Sequence, residues 1–222
     1  MTVDRQTRPG KIVCVGRNYR AHAAELGNEV PREPLLFLKP PSSIIHDGDP
    51  IILPGISNQV EHEGEIGIVI GARLKDATED ESRAAVAAVI ALNDVTARDL
   101  QRSDGQWTRA KGFDTFCPVG PPADPPSDLS TITVTTHVNG ALRQSGRASD
   151  MVFPIPFLLS YISRIMTLEP GDYVATGTPA GVGALVPGDV VEVEVGGSVV
   201  RSNVRDEVRD GRKQRAESRN GS

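Results

Sequence analysis

Cysteine is nearly absent from this chain, which carries only Cys14 and Cys117 among its 222 residues. The two stand far apart and outside any C-x-x-C spacing. That excludes a disulfide framework and a thiolate zinc site, and leaves two small buried hydrophobes in a reducing cytosol as the expectation. No apolar run approaches the roughly 20 residues that a membrane helix needs. The first residues, MTVDRQTRPGK, lack the apolar core of a secretory signal, so the expected location is the cytoplasm, with no membrane partner. A surplus of positive charge is missing as well. Lys and Arg number 24 against 29 Asp and Glu, a net charge of -5, which offers no nucleic-acid surface.

What the chain does hold is turn-forming residues, 22 Gly and 17 Pro, with 38% hydrophobic and 24% charged residues. That balance fits a globular protein of many short strands, long enough for one sizeable core. KIVCVG (11–16) reads as a buried strand, and RNYRAHAAELG (17–27) as a short helix closed by Gly27. EPLLFLKPPSSII (33–45) and PIILPG (50–55) read as strands punctuated by proline. DESRAAVAAVIALNDV (80–95) reads as the clearest helix, with acidic residues in its first turn and an Ala/Val/Ile stripe at helical spacing. A polar segment follows over 96–114. TITVTTHVNGALRQSG (131–146) is a hairpin pattern around Asn139-Gly140, IPFLLSYISRIM (155–166) a helix behind Pro154, and the remaining core segments strands with Gly-rich turns. Strands do not alternate regularly with helices, so the expected class is α+β, mainly β. The expected organisation is a tail over 1–10, one domain over 11–207 and a tail of disordered composition over 208–222.

EHEGEIGIVIG (61–71) poses the chemical question. A strand sends alternate side chains to one face, so Glu61, Glu63 and Glu65 share a face on which like charges repel. A solvated, charge-blunted strand end is one reading. The run into IGIVIG, which belongs in a core, and the room expected beside Gly64 and Gly67 favour another. Packed carboxylates need a counter-charge, and a hard divalent ion with oxygen ligands, Mg²⁺ or Mn²⁺, supplies one. Asp94 in ALNDVTARD offers a third carboxylate, although it or Asp99 could equally cap the next turn. Gln101 and Lys111 follow as polar residues of surface or site. His22 and Glu25, three apart, face each other on a helix. Such a carboxylate fixes the imidazole tautomer and raises its basicity, as a general base requires, unless the pair is a chance one on an exposed face. TGTPAGVG (176–183) is a Gly-rich turn without the G-K-[ST] of a phosphate loop. Its N–H groups and the Thr178 hydroxyl could hold a carboxylate, or the turn is structural only.

In order, VGRNYRAHAAELG, PLLFLKPPSSII, EHEGEIGIVIG, NDVTARDLQ, WTRAKGFDTFCPVGP, VNGALRQ and LEPGDYVATGTPAGVG resemble the fumarylacetoacetate hydrolase family, over about residues 11–200. The resemblance is closest to its short single-domain branch of acylpyruvate hydrolases and oxaloacetate decarboxylases. It implies a mixed β-sandwich roll of that family's C-terminal-domain type and a homodimer. It implies Mg²⁺ or Mn²⁺ held by Glu63, Glu65 and Asp94, with Glu61 left outside the ligand set. It assigns Lys111 a place near the metal and Gln101 and Thr178 contacts to substrate. His22 and Glu25 become a catalytic dyad on a lid helix, and Arg17 a further substrate contact.

The substrates implied are small α-keto acids whose 1-carboxylate and 2-oxo oxygens chelate the ion, which then favours an enolate. The expected reaction is hydrolysis of an acylpyruvate, fumarylpyruvate foremost. His22, oriented by Glu25, takes a proton from water, and the C–C bond breaks to give pyruvate and an acid. Oxaloacetate decarboxylation, keto–enol tautomerisation, or isomerisation of a 2-hydroxyhepta-2,4-diene-1,7-dioate would use the same enolate. A metal-binding scaffold without catalysis would be expected to lack the dyad or the lysine. A distal substrate carboxylate would call for another cation, for which Arg20, Arg32 and Arg102 are the candidates.

Overall fold

The computed structural model describes residues 8–25, 27 and 29–208. Apart from 8–10 and 208, the tails expected over 1–10 and 208–222 lie outside the described residues. Two five-stranded sheets form the frame. The first runs in the order β2 (Leu35–Lys39), β1 (Ile12–Gly16), β12 (Tyr173–Ala175), β6 (Gly64–Ile70), β7 (Val86–Asn93). The second runs β11 (Ala141–Arg147), β10 (Thr133–Val138), β14 (Val190–Val195), β15 (Ser198–Asp206), β4 (Ile51–Leu53). Both are mixed, since β1 pairs with β12 and β15 with β4 in parallel. Smaller sheets join β13 (Gly183–Ala184), β5 (Val60–His62) and β8 (Thr96–Ala97), and β3 (Ile44–Ile45) with β9 (Cys117–Pro118). The helices are short: α1 (Arg20–Glu25), α2 (Glu79–Ala84), α3 (Arg98–Ser103), α4 (Thr108–Lys111) and α5 (Ile155–Ile165). No helix among the described residues is long and apolar enough to cross a membrane.

The sheets face each other across one core, in which Ile66 and Ile68 of β6 meet Val134 of β10, Val193 and Val195 of β14, and Ile155, Leu159 and Ile162 of α5. On the other side of the first sheet, Ile12, Cys14, Val69, Ile90 and Cys117 form a second core. Both cysteines are buried there, and burial pushes the Cys117 thiol up to about 12. Every residue of β6 is buried, because its sheet is covered on both faces. A continuous apolar run rather than an alternating one is the result.

The helix expected over 80–95 is corrected by the structure. A capping box between Thr78 and Glu81 starts α2, but the helix stops at Ala84, and Val86–Asn93 is strand β7. A short apolar run buried on both faces has no periodicity to separate strand from helix. Pairing with β6 decides it against alanine's helix propensity. Ile90 of β7 lies opposite Gly67, where a Cβ on the glycine would come within 2.6 Å of Ile90. The polar segment 96–114 contains α3 and α4. The hairpin turn stands as expected, with Asn139 and Gly140 at φ 53° and 78°.

Candidate active site

The stretch that carries the glutamates is not one strand. It breaks at Glu63, between β5 and β6. The Glu63 N–H donates to Asn93 Oδ1 at 2.9 Å, and its carbonyl accepts from the Asp94 N–H at 2.8 Å. Glu61 stays outside the converging set: its Oε2 accepts from Arg98 Nε at 2.8 Å and its Oε1 from Gln59 at 2.6 Å, and Arg98 bridges it to Glu63. Glu63, Glu65 and Asp94 converge instead, each offering one oxygen within 4.8 Å of the others, all buried. Contrary to the expectation from the sequence, the glycines do not make room beside these carboxylates. A Cβ on Gly64 would lie 1.9 Å from Thr136 Oγ1, so its space belongs to the facing sheet.

Three buried cations meet these charges. Lys111 Nζ donates to Glu63 Oε2 and to Asp94 Oδ2, both at 2.7 Å. Lys39 Nζ donates to Asp94 Oδ1 at 2.7 Å, and Arg98 Nη2 to Glu63 Oε1 at 2.5 Å. Burial works against ionising Glu63, but Lys111 and Arg98 outweigh it and hold that carboxyl well below its ordinary range. Burial likewise opposes the Lys111 ammonium, and Asp94 and Glu63 reverse the balance and raise it. Glu65 is different. Burial, with the charges of Asp94 and Glu63 added, pushes its carboxyl well above the ordinary value. The Lys111 charge and the Gly177 N–H, at 2.7 Å from Oε2, offset this only in part, and no cation forms an ion pair with Glu65 among the described residues.

Four buried carboxylates, Glu61, Glu63, Glu65 and Asp94, thus face three cations, Lys39, Arg98 and Lys111. The surplus sits on Glu65, in a cluster of hard oxygen donors. This donor set fits a divalent cation such as Mg²⁺ or Mn²⁺, which would supply the counter-charge that Glu65 lacks.

The carboxylates open into a cavity of about 390 Å³ that His22, Arg17, Gln101, Arg102, Lys111 and Thr178 also line. Every residue to which the family resemblance assigns a role lies on this cavity except Glu25, which stands behind His22 with Oε2 at 3.2 Å from Nδ1. Glu25 also accepts the Gly181 N–H, at 3.0 and 3.2 Å from its two oxygens. Arg17 holds a left-handed backbone at φ 59°, uncommon for a residue with a Cβ. Of the arginines considered for a distal carboxylate, Arg102 lines the cavity, whereas Arg20 and Arg32 do not. The Thr178 hydroxyl already donates to Gly64 O at 2.9 Å and accepts from Gln144 Nε2 at 2.7 Å. Its one hydrogen is therefore spent, and toward a substrate it can only accept. Asp99 has a structural task, accepting from Ser57 and the Asn58 N–H.

Sequence reading missed Lys39, Arg98 and Gln144. A signal existed for the first two: a lone lysine closing the apolar LLFLK, and an arginine in NDVTARD beside the carboxylates. Each was a single charge whose partner lay far away in the chain.

The comparisons with known proteins agree with this geometry. The family model "Fumarylacetoacetate (FAA) hydrolase C-terminal" matches residues 11–205. A mitochondrial oxaloacetate decarboxylase of Dictyostelium discoideum is 44% identical over 84% of this chain and 86% of its own. A mitochondrial oxaloacetate tautomerase of Arabidopsis thaliana is 44% identical over 84% and 86%. The crystal structure of a 2-hydroxyhepta-2,4-diene-1,7-dioate isomerase from Mycobacterium marinum superposes with a TM-score of 0.83 at 41% identity, covering 91% of this chain and 77% of that one. The chain is an enzyme of the fumarylacetoacetate hydrolase family and belongs to its C-terminal-domain fold.

Proposed function

We propose that the protein is a divalent-metal-dependent enzyme that forms an enolate from a small 2-oxo diacid, with oxaloacetate decarboxylation or tautomerisation as its reaction. The observation that carries the proposal is the convergence of Glu63, Glu65 and Asp94 within 4.8 Å, on one cavity with His22. The names of two 44% identical relatives favour oxaloacetate.

A divalent cation held by these three carboxylates would supply Lewis acidity toward the 1-carboxylate and 2-oxo oxygens of the substrate. The side chains do the rest. Lys111, on the cavity wall between Glu63 and Asp94, offsets negative charge that develops on the 2-oxo oxygen as electrons leave C3. His22, held by Glu25, is the group that moves a proton at C3. In decarboxylation the C3–C4 bond breaks, its electron pair passes into the enolate, CO₂ departs, and a proton delivered to C3 gives pyruvate. In tautomerisation the same imidazole takes the C3 proton and the 2-oxo oxygen is protonated. Arg102 at the cavity wall is free of any carboxylate partner among the described residues, and suits a second substrate carboxylate.

Acylpyruvate hydrolysis, with fumarylpyruvate foremost, is the second reading. The His22–Glu25 pair favours it, since a carboxylate-oriented imidazole is also suited to draw a proton from water. The assembly expected is a homodimer; Leu35 and Leu38 stand exposed on edge strand β2, and light scattering at twice 23.7 kDa would support it. The test is pyruvate release from oxaloacetate, fumarylpyruvate and acetylpyruvate, together with the enol absorbance of oxaloacetate to read tautomerisation, with Mg²⁺ or Mn²⁺ and after chelation. Turnover of oxaloacetate alone selects the first reading, turnover of the acylpyruvates the second. No metal-dependent turnover of any of them would sink both.

A further inference from the structure

VNGALRQ is the one matched block to which the site assigns no chemistry. Its last residue, Gln144 on β11, is 1% exposed, and all four hydrogen-bonding positions of its amide are used. Oε1 accepts from the Gly64 N–H at 2.9 Å and lies 3.1 Å from His62 Nδ1. Nε2 donates to Thr178 Oγ1 at 2.7 Å and to Pro179 O at 2.8 Å. The orientation of the amide is forced, because the Gly64 N–H needs an acceptor and the Pro179 carbonyl a donor. His62 must then carry its hydrogen on Nδ1.

The partners are what matter. Gly64 lies between Glu63 and Glu65. Thr178 and Pro179 belong to the Gly-rich loop whose Gly177 N–H holds Glu65 and whose Gly181 N–H holds Glu25. The loop is also seated on β11 by its backbone: a Cβ on Gly181 would lie 2.0 Å from Arg143 O, and Gly181 stands at φ +101°. One side-chain amide thus spans the strand that bears the carboxylates and the loop that orients both Glu65 and the dyad.

We infer that Gln144 is a positioning residue: it fixes the Gly-rich loop against the strand of Glu63 and Glu65, setting carboxylate convergence and the Thr178 hydroxyl together. The metal part of this inference rests on the function proposed above; the brace itself does not. Outer contacts of this kind commonly change metal affinity or activity by about 10–100-fold.

The experiment compares the parent with Gln144→Met, which removes all four hydrogen bonds at similar volume, and Gln144→Glu, which keeps both acceptor roles and loses both donor roles. Hydrogen exchange on the metal-free proteins, Mn²⁺ calorimetry, and kcat and KM with oxaloacetate are read for each. Gln144→Met is expected to speed exchange at 62–66 and 176–182 while β1 and β15 stay protected, and to weaken Mn²⁺ binding about tenfold. Gln144→Glu keeps the bonds to Gly64 and His62 and loses those to Thr178 and Pro179, so it is expected to speed exchange at 176–182, leave 62–66 protected and raise KM. If Gln144→Met does not fold, Gln144→Glu decides by that difference between loop and strand. A parent that takes up no Mn²⁺ defeats the metal reading, while exchange still judges the brace. Variants that only melt earlier, with parental exchange in the loop and parental Mn²⁺ affinity, would overturn the inference.

Discussion

Replacing Lys111 by Met isolates the charge balance of the carboxylate cluster. Its ammonium, 2% exposed, sits 2.7 Å from both Glu63 and Asp94. Removing one partner of a buried ion pair leaves the other charge uncompensated, at about 3–5 kcal/mol. Arg98 and Lys39 stay beside the same two carboxylates, so the lower figure, about 3 kcal/mol, is expected. In a chain of this size 1 kcal/mol moves Tm by about 2–4 °C, which places the metal-free variant about 6–12 °C below the parent. The pH dependence has a definite sign. Glu63 is held below its unfolded value of 4.5, against burial, by Lys111 and Arg98. Its stabilisation is therefore present above that value and lost as pH falls through the lowered one. The gap between parent and variant should be full at about pH 7 and close in acid. The raised Lys111 contributes fully below its unfolded pKa of about 10.4, so it adds no slope near neutrality. Mn²⁺ supplies the missing counter-charge, so thermal melts should show the gap shrinking in its presence. A metal-free variant that melts with the parent, or a gap that Mn²⁺ leaves unchanged, would refute the charge accounting.

Other predictions concern the site residues singly. His22→Ala should lower kcat by about 10²–10⁴-fold while calorimetry finds Mn²⁺ affinity near the parental value; a parallel loss of both would remove His22 from proton transfer. Burial raises the Glu65 carboxyl, with Asp94 and Glu63 adding to it, and a bound ion favours its ionised form. Mn²⁺ affinity should rise with pH above the ordinary carboxylate range, with proton release measured by calorimetry in buffers of different ionisation enthalpy; Glu65→Gln should abolish that release. Arg102→Leu should raise KM for oxaloacetate about tenfold, the worth of one charge-assisted hydrogen bond, and leave KM for acetylpyruvate unchanged.

The legible parts of the sequence were those with local signals. Asn139-Gly140 marked its hairpin because both residues must reach positive φ, and the Glu63/Glu65/Asp94 grouping followed from family motifs rather than from alternation. Alternation by itself cannot separate Glu61 from the other two, because the strand breaks at Glu63 and Arg98, placed by the fold, takes up the Glu61 carboxylate. β7 was misread for a related reason: its identity as a strand is set by Gly67, some twenty residues earlier, which makes room for Ile90. Lys39, Arg98 and Gln144 stayed hidden because each acts through partners dozens of residues distant, Asp94, Glu61 and Glu63, and Gly64 and Thr178. The local signals of Lys39 and Arg98 name no partner, and nothing near Gln144 marks it as part of a site.

Exchange of the C3 hydrogens of pyruvate with D₂O tests the central claim most directly, because enolate formation is common to decarboxylation and hydrolysis and is read by NMR without a choice between them. The account predicts exchange by the protein loaded with Mg²⁺ or Mn²⁺, lost on chelation, in Glu65→Gln and in His22→Ala. Folded, metal-loaded protein that leaves pyruvate unexchanged, or exchange that persists at the same rate after chelation, would contradict it.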